Sequence, residues 1–346
     1  MALKGLFQRS KPRKASAAKY IYYFDEGSAK DQGLLGYKGA SLCELKRLGM
    51  NIPPGFILTT ELCKLFYRPD DPQLPFNLND EVTEAVHELE RQTGRTFDVL
   101  HGAQTHSSGV EGQGHFTPLL LSVRCASSVD IPGLTSTVLN VGINTEVAKV
   151  LSRESRNLRW AYDTYRKFLQ TFGIHILGVE EKLYDDILAD ARMRRGVTSN
   201  SMLNASDLMY VVERFKSLVD VPEDPWQQLS MVVNTMLKSW VSKKAEKFRD
   251  LHNIPFEMGN AIVVQSMVFG NINLRSGVGS LTTRHPVTGD KVLHGWCTRI
   301  AEGEAPEQDS DLRKSMDDLS TEQPNVHREL QRVARRLETH FRDVQV

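Results

Sequence analysis

The sequence predicts an α+β fold of two or three lobes, and three observations carry that reading. A β-rich, proline-punctuated start is followed by a long stretch of helical periodicity. A strand-rich region then closes on one amphipathic helix. The chain has 346 residues, too many for one ordinary core. The divisions expected are a basic tail or transit segment over 1–19, a first α/β lobe over 20–145, a helical subdomain over 146–225 and a second lobe over 226–346.

Taken in order, "YIYYF" (20–24) is a β-rich run, and "GYKGASLCELKRLGMNIPPGFILTT" (36–60) reads as loop, helix, turn and strand. Leu42, Leu45 and Leu48 have helical spacing, Gly49 is a stop signal, and Pro53-Pro54 forbid continuation. Residues 79–93 are helical through Val82, Val86 and Leu89. "GAQTHSSGVEGQGHFTP" (102–118) is a loop by its turn chemistry; its His106 and His115 lack the paired Cys or carboxylates of a metal site. "LLLSVRC" ends an apolar run on Arg124. Helices are expected at 157–177, 179–193, 206–218 and 224–250, where Trp160, Tyr165, Phe168 and Phe172 form a packing stripe. Strands are expected at 260–271, 279–286 and 290–296, and a helix at 327–342 through Leu330, Val333, Leu337 and Phe341.

Lys+Arg and Asp+Glu both number 43, so overall charge calls for neither nucleic acid nor a membrane surface. The four cysteines are dispersed without a C-x-x-C pair, which argues against a disulfide framework or a zinc ribbon and fits a reducing compartment. No apolar run approaches the roughly 20 residues of a spanning helix. The first 20 residues carry six basic side chains and no acid, as either a disordered tail or an organelle transit peptide would. The expected location is accordingly the cytoplasm or a plastid or mitochondrion.

Three segments share a phosphate chemistry. "LLGYKGAS" puts Lys38 in a glycine-flanked turn before a helix, where an ammonium and free N–H groups meet an anion, or where a lysine is simply exposed. Arg124, followed by Ser127, Ser128, Pro132 and Gly133, is shaped to clamp a phosphate bidentately, or else pairs with Asp130 or a helix carboxylate. In "FGNINLRSGVGSLTTRHPVTG", Gly277 and Gly279 permit a tight anion-directed loop flanked by Arg275 and Arg284, or an ordinary hairpin turn. G-x-G-x-x-G, a nucleophile elbow and H-E-x-x-H are all missing from the sequence.

Together with "NIPPGFILTTELC", "LLLSVRCASSVDIPGLTSTVLNVGIN", "AYDTYRKFLQTFG", "KSWVSKKAEKFRDLHNIP", "AIVVQSMVFGN" and "SGVGSLTTRHPVTGD", these segments make the chain resemble, from about residue 20 onward, the N-terminal nucleotide-binding domain of the pyruvate, phosphate dikinase family. The resemblance implies ATP-grasp-like nucleotide-binding lobes with a helical subdomain between them. It implies ATP and Mg2+ as cofactors, Lys38 and Arg124 on the ATP phosphates as the catalytic pair, and the backbone at Gln265, Met267 and Val268 on adenine. The Gly277–Gly279 loop, with Arg284, would cover the phosphates, and Glu304 is the acid retained in the turn after the last strand. As partners it implies a nucleotide and either a histidine-bearing swivelling domain or another protein subunit.

The departures bear on activity. The family's usual G-E-F-L-x-N-A-Q-G-E-D reads "GWCTRIAEGEA" here, with Trp296 for the acid, Ile300 for Asn, Glu302 for Gln and Ala305 for Asp. Tyr37 replaces the second glycine of the phosphate turn. The acid-rich strand that supplies the family's metal-binding carboxylates would follow Val346, and G-G-x-T-S-H does not occur. Two expectations stand side by side: an ATP-binding domain serving phosphoryl transfer to a histidine, or a catalytically inactive pseudoenzyme acting as a binding or assembly subunit.

Overall fold

The computed structural model describes residues 19–66, 78–99, 117–127, 131, 137–273, 275–299 and 313–342. Two antiparallel sheets organise the chain. The first contains β1 (Ile21–Tyr23), β2 (Gly55–Leu58), β3 (Leu121–Cys125), β4 (Thr137–Val141) and β5 (Ile262–Ser266), in the order β1-β2-β5-β3-β4. The second is β6 (Gly277–Thr282), β7 (His294–Arg299) and β8 (Lys314–Ser315).

Alternation along the strands divides the first sheet between two cores. Phe56, Leu58, Leu121, Val123, Ile262 and Val264 face a large cluster. It is completed by α3 (Leu78–Thr93), α4 (Thr145–Ser155), α5 (Leu158–His175) and α8 (Pro225–Trp240), through residues such as Val86, Leu151, Phe168 and Val232. Ile57, Val263, Ala126 and Ala261 face the other way, onto Leu35, Ala40 and Cys43 of α1 (Gln32–Arg47). Burial pushes the Cys43 thiol up to about 11. A short α2 (Thr60–Phe66) follows β2. Beyond the sheet, α6 (Glu181–Arg195) and α7 (Ala205–Lys216) pack through the edge-on pair Tyr184–Phe215.

Local signals set the helix boundaries. Asn144 and Asn157 cap α4 and α5 by accepting from Val147 N and Trp160 N. Asn204 and Asp207 form a reciprocal capping box on α7. The single helix expected over 224–250 is two: α8 ends at Trp240, and Ser242 caps α9 (Lys243–His252) by accepting from Ala245 N. Arg249 of α9 folds back to donate to Trp240 O and stacks on the Trp240 ring at 4.8 Å. The break therefore carries its own fastening.

The placement of β5 differs from the division expected at residue 226. It lies between β2 and β3 at the centre of the first sheet, with Ile57 opposite Val263 and Val123 opposite Val264. Local composition cannot reveal this, because a buried central strand looks alike in either sheet.

The second sheet turns Leu281 and Cys297 toward α10 (Met316–Glu322) and α11 (Pro324–Phe341), where Met316, Leu319 and Leu330 complete a small core. α11 also reaches the first lobe. His340 Nε2 lies 2.9 Å from Glu44 Oε1, and the Arg336 guanidinium lies against Gly49. No described helix is long and apolar enough to cross a membrane.

Candidate functional site

The site is built where α1 meets the end of β3. At Gly36 the helix is interrupted by a residue at φ 70°, ψ 166°. A Cβ placed there would lie 1.4 Å from the carbonyl oxygen of Ala126. Only glycine combines that backbone with so close an approach, so the first glycine of the turn is fixed by contact with the chain just beyond Arg124. The helix resumes at Tyr37 and Lys38, both exposed. Lys38 therefore sits in the first turn of the resumed helix beside the end of β3, where N–H groups lack helical acceptors.

Arg124 stands opposite Val263 on β5 and Thr137 on β4, on the face that α1 covers. It is half-buried, and its Nε has no hydrogen-bond partner. No carboxylate among the described residues pairs with it; Asp130, Ser128, Pro132 and Gly133 lie outside them. A half-buried guanidinium with one buried, unpaired donor and no carboxylate partner among the described residues favours an incoming anion.

The other expected residues fall into three groups. Gln265 is on the same sheet face, but its Nε2 donates to Pro53 O at 2.9 Å. Met267 is buried; its N–H donates to Leu120 O and its carbonyl accepts from Arg95 at 3.3 Å. Val268, 72% exposed, is the open position of that segment. With Leu121 opposite Ser266 and Cys125 opposite Ile262, this segment and Arg124 occupy opposite ends of one strand pair, about 13 Å apart at the usual rise.

Gly277 and Gly279 are not in a loop. They open β6, paired with Arg299 and Cys297, and a Cβ on Gly279 would lie 2.6 Å from Trp296 O. The glycine serves close strand approach, and the hairpin turn lies beyond it at His285–Gly289. Arg284 forms an ion pair with Glu338 of α11, and it also donates to Gly289 O. The Thr283 hydroxyl and Arg284 hold the Glu338 carboxyl below its usual range. Arg275 is exposed at the start of β6, and Glu304 lies outside the described residues, as do His106 and His115.

Two residues went unread in the sequence. Arg313, just before β8, lies with its guanidinium 4.6 Å over the Trp296 ring. With Ser280, Thr282 and His294 they line a cavity of about 290 Å³ on the sheet face away from α10 and α11. Their contact crosses strands, so spacing does not show it. Ser122 is the other: alternation in "LSVRC" puts it on the Arg124 face, a signal that was available.

The chain matches the family "Pyruvate phosphate dikinase, AMP/ATP-binding domain" over residues 32–346. Among curated relatives it is 33% identical to pyruvate, phosphate dikinase of Rhizobium meliloti (strain 1021), over 95% of this chain and 37% of that protein. It is 34% identical to the chloroplastic pyruvate, phosphate dikinase of Flaveria trinervia, over 96% of this chain and 34% of that one. For the Clostridium symbiosum enzyme the values are 33%, 95% and 36%. The chain thus spans little more than a third of the length of these relatives. With the Gly36 turn, the Arg124 strand and the family match in agreement, the chain belongs to the pyruvate phosphate dikinase AMP/ATP-binding domain family.

Proposed function

We propose that this chain binds ATP with the triphosphate at the junction of α1 and β3 and the base toward Val268, and that it serves phosphoryl transfer to a histidine on a swivelling domain or partner subunit. The observation that carries the reading is Arg124, half-buried, without a carboxylate partner among the described residues and with an unsatisfied Nε. Its planar fork suits two oxygens of one phosphoryl group, and Lys38 adds a mobile charge from the adjoining helix turn. Charge that develops on the transferred group would be met by these two cations.

Among the described residues there is no group of three or more His, Cys, Asp or Glu that would hold a metal ion.

A second reading, a nucleotide-binding subunit without catalysis, is favoured by Trp296. An indole occupies the position expected to carry an acid, and Arg313 is stacked on it. Calorimetric titration of wild type and Arg124→Ala with Mg-ATP tests the binding claim. Wild type is expected to bind and the variant to lose at least about tenfold in affinity, the scale of one charge-assisted hydrogen bond. Undiminished binding by Arg124→Ala would refute the phosphate role.

A further inference from the structure

Ser122 and Arg124 are two residues apart on β3 and therefore share the face on which α1 lies. Ser122 is 4% exposed, and its Oγ has no hydrogen-bond partner; the Nε of Arg124 has none either. One is an N–H without an acceptor and the other a hydroxyl that can accept. Leaving two such groups buried and apart is unfavourable. Two side chains at this spacing start about 6.8 Å apart at Cα, within the combined reach of an arginine and a serine. The amide nitrogen of Gln265, directly opposite Ser122, donates to Pro53 O and so does not compete for the Ser122 hydroxyl oxygen.

We propose that Ser122 is a positioning residue for Arg124. When a phosphate engages the two terminal nitrogens of the guanidinium, Arg124 Nε–H turns onto Ser122 Oγ, and the fork is held in one plane by its own strand. Bidentate recognition depends on that plane being fixed. The inference rests on the reading of Arg124 as a triphosphate ligand and adds to it a hydroxyl that touches no nucleotide atom.

The test uses Ser122→Ala in the full chain, with three readouts. Stability without ligand is expected to stay level or rise, because the hydroxyl removed has no partner. Affinity for Mg-ATP is expected to fall about five- to tenfold. The Arg124 Nε–H signal in nitrogen-15 NMR, assigned with Arg124→Lys, is expected to become protected from solvent exchange when Mg-ATP is added to wild type, and to stay exchanging in Ser122→Ala. Wild-type affinity in Ser122→Ala overturns the proposal, as does an Nε–H signal indifferent to the substitution. A large loss of ligand-free stability overturns it too, by making Ser122 a packing residue. If wild type shows no Mg-ATP binding at all, the ATP reading falls and takes this inference with it. Binding by wild type with no difference in the variant sinks the inference alone.

Discussion

Replacing Gly36 by alanine tests the geometry of the site more sharply than replacing a charged residue. The new Cβ would stand 1.4 Å from Ala126 O, where real contacts stay beyond 3.0 Å. Helix and strand must then part by at least about 1.6 Å, or the backbone must leave φ 70°. A backbone at φ 70°, ψ 166° is open essentially to glycine alone and costs an L-residue roughly 1–3 kcal/mol, and overpacking costs roughly 1–3 kcal/mol more. The expected loss of stability is about 2–6 kcal/mol, read from urea unfolding. A displacement of that size between Lys38 and Arg124 should also weaken Mg-ATP binding by about tenfold or more, the scale of one lost charge-assisted hydrogen bond. Gly33→Ala is the control on the same helix. Its Cβ would meet nothing within 4 Å, so the change should be neutral or stabilising by about 0.5–1 kcal/mol. If Gly36→Ala unfolds at the wild-type midpoint and binds Mg-ATP normally, the close approach of α1 to β3 does not organise the site.

Arg284→Ala should loosen α11, seen as faster hydrogen exchange over 324–341, while Mg-ATP affinity stays within about twofold; a phosphate ligand would behave in the reverse way. The pH dependence of Glu44 has a definite sign. A hydrogen bond from Ala29 N, then the charges of Arg47 and His340, hold its carboxyl below the ordinary value of 4.5. Its contribution to stability is thus complete above pH 4.5 and lost as pH falls through the lowered folded-state value. The advantage of wild type over Glu44→Gln in urea should shrink as the pH falls below about 4.5.

Much of the architecture was legible because helices announce themselves locally. The helices expected at 157–177 and 206–218 are found as α5 (Leu158–His175) and α7 (Ala205–Lys216). The junction proposed for the phosphates was legible in part: Gly36 and Lys38 form a local motif, and Arg124 stands at a strand end. What joins them, the Gly36 contact with Ala126, spans 90 positions of sequence and leaves no periodic trace. The pairing of Arg284 with Glu338, on a helix more than 50 residues later, is hidden for the same reason. Gly277 and Gly279 signalled a loop by composition, because a glycine needed for cross-strand approach cannot be told from one needed for a turn.

The central place of β5 carries a consequence for how the chain acquires its shape. β1 with β2, and β3 with β4, are two pairs with no ladder between them; each gains a neighbour only when residues 262–266 arrive. Closing the β2–β5 pairing brings together segments about 200 positions apart, an entropic cost that must be met before the contact gives anything back. During synthesis the helices after residue 145 will have emerged first, over two unjoined strand pairs whose inner edges are open. Folding of the whole lobe should therefore be slow and late, and a nascent chain halted before residue 262 should be readily cleaved by protease in β2 and β3, whereas one extended well beyond residue 266 should resist.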